Sequence, residues 1–286
     1  MHPVVAWLRI VRPPIMFISV LGSLACLYLS DPAAAASTAW LVGITAALLA
    51  SGVVVHNDVV DEPSDRVRRG DKPLSSGAIR PVVAHGVGLA LMMAAVFVAG
   101  VLSTWSGLFI ASVAFAGVWY NTDGKTRHHI WGNIATSYGV AGIIVFPMVV
   151  TQQWMLWPLA GAVGVGEVGR EILVTTGDCE GDSAAGFHTI ATLWGVRRAT
   201  WVALPFYLAS IPFYVLSWGI PMLGMLYLLG SVGFLIVLIV GWQRCMAAVE
   251  TGVADWQFRA FELWVRTGSR LGVVALQVVL LAEVWL

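Results

Sequence analysis

The residues best suited to chemistry fall in two acidic clusters. The first reads Asn57-Asp58-Val59-Val60-Asp61-Glu62-Pro63-Ser64-Asp65; the second is Arg170-Glu171 followed by Asp178-Cys179-Glu180-Gly181-Asp182. At about 100° per residue, Asn57, Asp58, Asp61 and Asp65 project within an arc of roughly 100° if the first segment stays helical. Glu167, Glu171, Asp178 and Asp182 fall within about 60° on the same assumption, with Arg170 beside them and Glu180 pointing away. Carboxylates sharing one helix face repel one another, so such a face costs stability unless cations neutralise it. Oxygen-rich faces suit Mg²⁺, which takes one or two carboxylates per site and leaves positions for water and phosphate oxygens. With Arg66, Arg69, Lys72, Lys125 and Arg127 nearby in sequence, the combination fits metal-bridged diphosphate binding, in which cations hold phosphate oxygens and acids hold the metals. Any one of these acids taken alone also fits a solvated loop or helix end; it is the recurrence of the pattern that favours the metal reading.

The elements that must position these residues are membrane helices. Of 286 residues, 58% are apolar and only 11% charged, and the mean hydropathy is +0.82. A water-soluble protein of this size needs more charge to cover its surface, which excludes a cytosolic enzyme, a secreted domain, a disordered chain and a nucleic-acid-binding protein. Cys26, Cys179 and Cys245 are far apart, giving neither a disulfide framework nor a thiolate metal site. Apolar runs long enough for a bilayer of about 30 Å occur near 14–30, 36–56, 81–102, 105–121, 131–150, 154–175, 199–217, 221–242 and 269–286. The expected fold is therefore all-α, a single domain over residues 1–286 with nine transmembrane helices around a central cavity. The first span follows a basic stub but is read as a retained helix, since Ser23 is the wrong residue type for lipoprotein cleavage at Cys26.

Charge placement orients the chain, because Lys and Arg concentrate in loops on the cytoplasmic side. Arg9 and Arg12 precede the first span, the run from Arg66 to Arg80 follows the second, Lys125 and Arg127 follow the fourth, and Arg197 and Arg198 follow the sixth. Loops near 31–35, 103–104, 151–153 and 218–220 carry no Lys or Arg. These positions put the N-terminus inside, the C-terminus outside and both acidic clusters on the cytoplasmic side, with the cell (inner) membrane as the expected location.

The motifs resemble a known family. Asn57-Asp58-x-x-Asp61-x-x-x-Asp65 is similar to the NDxxDxxxD signature of the UbiA superfamily of intramembrane prenyltransferases, and Asp178-x-x-x-Asp182 to its DxxxD signature. Lys72-Pro73-Leu74-Ser75-Ser76-Gly77-Ala78-Ile79 resembles the family's (R/K)P(L/I)xSGxI stretch, and Gly132-Asn133 the pair that opens its fifth helix. The second cluster most resembles the RE…DxEGD form of digeranylgeranylglyceryl phosphate synthases and chlorophyll synthases. The resemblance implies that Asn57, Asp61, Asp65, Asp178 and Asp182 hold two Mg²⁺ ions bridging a prenyl diphosphate, with Asp58 in support. It makes Asp58, Asp61 and Asp182 the catalytic acids, and Arg66, Lys72, Lys125, Arg127 and Arg170 the candidates for binding diphosphate oxygens. Metals and cations would stabilise the leaving diphosphate and so favour C–O cleavage, the prenyl tail lying in the bilayer-embedded cavity and passing to a lipophilic acceptor.

Departures from the family pattern concern the acceptor. Pro63 falls within the first motif, where it breaks a helix unless that helix ends near Asp61. The archaeal lipid branch carries a Lys-Asp pair between RE and DxEGD, where this chain has Val174 and Thr175. The chain has 14 Trp, and Trp119, Trp131, Trp154, Trp157 and Trp194 join Tyr120 and Tyr138 around the second motif. Aromatic faces that stabilise a carbocation would make a terpene cyclase the alternative function; membrane-interface anchors are the structural reading. His56 is read either as a base toward an acceptor hydroxyl or as a hydrogen-bonded helix-end residue. The segment 243–268 reads as an amphipathic interfacial helix. A cation transporter is the third class, disfavoured because the clusters lie at helix ends rather than at the midplane. Recurrence of the acidic motif four helices apart implies that the helices bearing it face one another across the cavity.

Overall fold

The computed structural model describes residues 2–68, 70–124, 129–251, 265 and 267–285. They are helical, with no strand among the described residues. A short α1 (Pro3–Val11) leads into α2 (Pro13–Ser30), α3 (Ala36–Val60), the short α4 (Glu62–Arg68), α5 (Pro81–Leu102) and α6 (Thr104–Trp119). A π-helical turn, Tyr120–Gly124, follows; then come α7 (His129–Thr151), α8 (Trp157–Ala184), the short α9 (Ile190–Trp194), α10 (Val196–Trp218), α11 (Met225–Thr251) and α12 (Ser269–Trp285).

Helix boundaries follow local chemistry. Pro13 and Pro81 open their helices at positions where a missing N–H costs nothing. Ser103 caps α6 by accepting from Ser106 N at 3.0 Å, and Thr189 and Thr192 form a reciprocal capping box on α9. Pro63 behaves as expected: α3 stops at Val60, and Pro63 sits in the first turn of α4. Backbone bonds from Asp61 N to Asn57 O (2.9 Å) and Asp65 N to Asp61 O (2.8 Å) still carry the helical course across the junction.

Among the described residues, six helices are long and apolar enough to cross a bilayer: α2, α3, α5, α7 from Ile130, α10 and α11 to Glu250. The other three expected spans coincide with helices that do not meet that measure. At 16 and 17 residues, α6 and α12 reach only about 25 Å at 1.5 Å per residue. The 28 residues of α8 are ample in length, but Glu167, Arg170, Glu171, Asp178, Glu180 and Asp182 lie on it. Residues 243–251 of the expected interfacial helix extend α11, and 252–264 lie outside the described residues.

The long helices pack in chain order from α2 through α12, and α12 returns to α2, closing a ring. The outer surface is apolar, with Trp40, Met93, Phe97, Trp105 and Phe115 among its exposed side chains, while Ser, Thr, Asp and Glu are buried inside. This inversion suits a lipid environment. The main core joins α2 to α7, α8 and α10 through α12, with Cys26 and Cys245 in it as packing residues; a second joins α2, α3, α5, α6 and α7. The ring encloses a cavity of about 430 Å³. Glu283 ties α12 to the start of α11: its carboxylate accepts from Gly224 N at 3.0 Å and Tyr227 N at 2.9 Å. It thus caps the start of α11 from α12. Glu283→Ala is expected to lower stability by about 1 kcal/mol, with Glu283→Gln losing less, measured as a fall in thermal midpoint in detergent or nanodiscs.

Candidate functional site

Residues from both acidic motifs line one cavity: Asn57, Asp61 and Asp65 on one side, Asp178 and Asp182 on the other. The two halves meet through α4, which packs on α8, and Ser64 Oγ donates to Asp182 Oδ1 at 3.4 Å. The short helix after Pro63, rather than α3, therefore brings the motifs together. Asn57 Nδ2 donates to Asp61 Oδ2 at 2.7 Å, aligning two oxygen-bearing groups one turn apart. Asp65 and Asp182 are buried, whereas Glu180 is exposed on the far side of α8, as its spacing implies.

Lys72 is the central cation of the first motif. Its Nζ lies 2.5 Å from Asp65 Oδ2 and 3.4 Å from Asp58 Oδ1. The loop that delivers it is pinned by Leu74 and Ile79, which bury against Ala6, Ile10, Val55 and Ala84. Gly77, at φ +71, makes the positive-φ turn between them. That explains physically why Lys-Pro-Leu precedes Ser-Gly-x-Ile. Burial raises the Asp65 carboxyl above its ordinary range, and the Asp61 and Asp58 charges push the same way against the pull of Lys72.

Asp58 does not line the cavity; it is buried behind it, ion-paired with Arg12 and Lys72. Arg12 lines the cavity and was missed in sequence. It sits in the left-handed region (φ 51) between α1 and α2, and an arginine directly before Pro13-Pro14 was the available signal. Arg66 lies away from the cavity: its guanidinium pairs with Glu62 and is 66% exposed. Lys125, Arg127 and Arg69 lie outside the described residues.

Halfway along α8, Arg170 Nε donates to Glu167 Oε2 at 2.7 Å and its Nη2 to Glu171 Oε2 at 3.1 Å. Tyr120 OH donates to Glu171 Oε1 at 3.1 Å. All four line the cavity. Arg170 thus engages its own helix neighbours, satisfying acids that would otherwise be buried charges. Tyr120 and Asn121 reach the cavity from the π-helical turn, a local widening often found at functional sites. Gly124 and Gly132 pack closely: a Cβ on Gly132 would lie 3.1 Å from Gly124 O, tighter than ordinary contact. His56 is 1% exposed and bonded to Asn121 at 3.0 Å. The hydrogen-bonded reading is the one seen: Asn121 lines the cavity, whereas His56 is not among the lining residues.

Much of the rest of the wall is apolar, including Leu49, Val53, Ile110, Val140, Ile143 and Phe146, with Ser19, Ser23 and Thr136 among them. Among the described lining residues the aromatics are Tyr120 and Phe146. Trp131, Trp154, Trp157 and Trp194 are exposed, and no tryptophan is among the described residues that line the cavity, so the described residues give the cyclase alternative no support. Among the described residues, no three carboxylate, imidazole or thiolate groups form a ready-made metal cage. Mg²⁺ needs none, since one or two carboxylates with water and phosphate oxygens complete its shell. The all-oxygen donor set at the mouth fits that ion.

Comparison with known proteins agrees with this geometry. The UbiA prenyltransferase family matches residues 16–265. A digeranylgeranylglyceryl phosphate synthase of Methanospirillum hungatei JF-1 is 27% identical over 239 residues, 79% of this chain and 83% of that protein. One from Methanoculleus marisnigri is 27% identical over 250 residues, 86% and 88% of the two chains. In structure, a UbiA homolog from Aeropyrum pernix K1 aligns with TM-score 0.75 at 17% identity over 92% of this chain and 97% of its own. A UbiA homolog from Archaeoglobus fulgidus bound to GPP and Mg²⁺ aligns with TM-score 0.74 at 14% identity over 98% and 100%; at such identities these neighbours show the fold alone. The family match extends from the first apolar helix to beyond the second acidic motif, and the chain belongs to the UbiA prenyltransferase family.

Proposed function

We propose that this chain is a Mg²⁺-dependent intramembrane prenyltransferase that ionises a prenyl diphosphate and passes the isoprenoid chain to a lipophilic acceptor, releasing diphosphate. The observation that carries the reading is that both acidic motifs open into one cavity that also has a large aliphatic wall. Asn57, Asp61, Asp65, Asp178 and Asp182 would hold Mg²⁺, which when bound supplies positive charge to the diphosphate as its C–O bond breaks. Lys72 orients the first motif and offers a cation at its edge, and Asp58 keeps Lys72 and Arg12 in place. Leu49, Val53, Ile110, Val140, Ile143 and Phe146 would bind the isoprenoid and exclude water from the reacting carbon. We assign all nine apolar helices to the membrane as one domain, with the N-terminus and the site on the cytoplasmic side.

The relatives' name points to a glyceryl phosphate lipid as the class of acceptor. Val174 and Thr175, where the archaeal branch has a Lys-Asp pair, both line the cavity here. The acceptor's head therefore meets a methyl and a hydroxyl group instead of an ion pair, favouring a less highly charged acceptor. Purified protein given a labelled C15 or C20 prenyl diphosphate with Mg²⁺ should release diphosphate chiefly when a membrane lipid extract is added, the product's mass identifying the acceptor. A cyclic hydrocarbon or terpene alcohol made without extract would instead establish a cyclase.

Asp61→Ala and Asp182→Ala should each reduce diphosphate release by at least about a hundredfold in protein that stays folded, while Glu180→Gln changes it little. Lys72→Ala should cost a comparable factor, whereas Arg66→Ala, at an exposed pair, should change kcat/KM by less than about threefold. Asp65 must be ionised to hold metal, and its raised carboxyl protonates early as pH falls. The rise in thermal midpoint on adding Mg²⁺ should therefore shrink on acidification. Asp65→Asn should flatten this dependence.

A further inference from the structure

Asn121 is fully buried yet lines the cavity. Its amide nitrogen meets Nδ1 of His56 at 3.0 Å, while its Oδ1, also buried, has no hydrogen-bond partner among the described residues. A buried carbonyl-type oxygen is costly to leave unpaired, so this one is placed for a ligand. The sequence arranges it from two directions. The π-helical turn carries Asn121 beside Tyr120. On α3, Gly52 lets α5 approach until a Cβ there would lie 2.9 Å from Gly88 O, and this close crossing buries His56, whose ring also meets His85 at a centroid distance of 5.1 Å. A neutral imidazole accepts at one ring nitrogen; taking the amide N–H there, His56 leaves the amide oxygen to the cavity. His56 directly precedes Asn57, so the pair stands at the polar end where the reacting carbon of a donor would lie.

We propose that Asn121 Oδ1 accepts a hydrogen bond from the reacting hydroxyl of the acceptor, with His56 as the positioning residue that fixes the amide. The inference rests on the transferase reading and makes the acceptor an alcohol or phenol reacting through oxygen. In the transfer, the bond between the allylic carbon and diphosphate oxygen breaks with its electron pair leaving on the diphosphate. The acceptor oxygen bonds to that carbon, and its proton goes to the departing diphosphate. Asn121 orients the O–H and exchanges no proton.

The test uses the full-length protein in nanodiscs with Mg²⁺, geranylgeranyl diphosphate and three probes carrying the same C20 tail: a glyceryl phosphate monoether, an uncharged glyceryl monoether and a hydroquinone. An ether product is expected. Asn121→Ala should raise the KM for the accepted probe about tenfold, several times more than the KM for donor. Asn121→Asp, which keeps an acceptor oxygen, should recover most of that loss, and His56→Phe should shift the acceptor KM in the same direction as Asn121→Ala. A donor-dependent thermal shift in each variant identifies folded protein. A carbon–carbon-linked product, an acceptor KM within twofold of wild type in Asn121→Ala, or diphosphate release with only water as acceptor would overturn the inference. If the wild-type protein neither releases diphosphate nor consumes donor with any probe, the transferase reading itself falls.

Discussion

Carboxylates at the edge of an apolar interior lose hydration and repel one another, and the architecture around the cavity is arranged to bear that cost. Lys72 reaches Asp58 and Asp65, Arg12 reaches Asp58, and Arg170 lies between Glu167 and Glu171. Each cation is brought by a different element, so the ion pairs also tie α1, the loop after α4 and α8 to the cavity. The raised Asp65 carboxyl is what burial leaves once Lys72 has offset part of it, and a bound divalent cation would relieve the remainder.

The same constraint explains the division of the cavity. The motif acids gather where α4 meets α8 through Ser64 and Asp182, the charges of Glu167, Arg170 and Glu171 pair with one another further along α8, and much of the remaining wall is aliphatic. A substrate with a multiply charged head and a hydrocarbon tail matches both halves at once. The tryptophans take another role: the exposed ones belong to the outer surface, where an indole places an apolar body and a polar N–H at a lipid boundary.

Much of the site was legible in sequence because its signals are local. Asn57, Asp61 and Asp65 are held by helical spacing, and Glu180 falls off the face of Asp178 and Asp182 by the same periodicity. Pro63 marks the break between α3 and α4 that the chain shows. Arg66 and Lys72 are both diphosphate candidates by sequence, but Glu62 one turn away captures Arg66, whereas the buried anchors Leu74 and Ile79 turn Lys72 inward. Nothing local reveals the use of Glu283 as a cap, because it depends on the meeting of two helix ends far apart in the chain.

The sequence by itself determined the all-helical, lipid-facing character, the two acidic motifs and the family, since composition, periodicity and short-range spacing are properties of the chain alone. Only the tertiary structure decided which residues share the cavity. It brought in Arg12 and Asn121, set Asp58 behind the wall, turned Trp131, Trp154, Trp157 and Trp194 outward and paired His56 with Asn121. Those outcomes depend on how helices cross, on close approaches such as Gly52 to Gly88, and on which partner reaches a buried charge first.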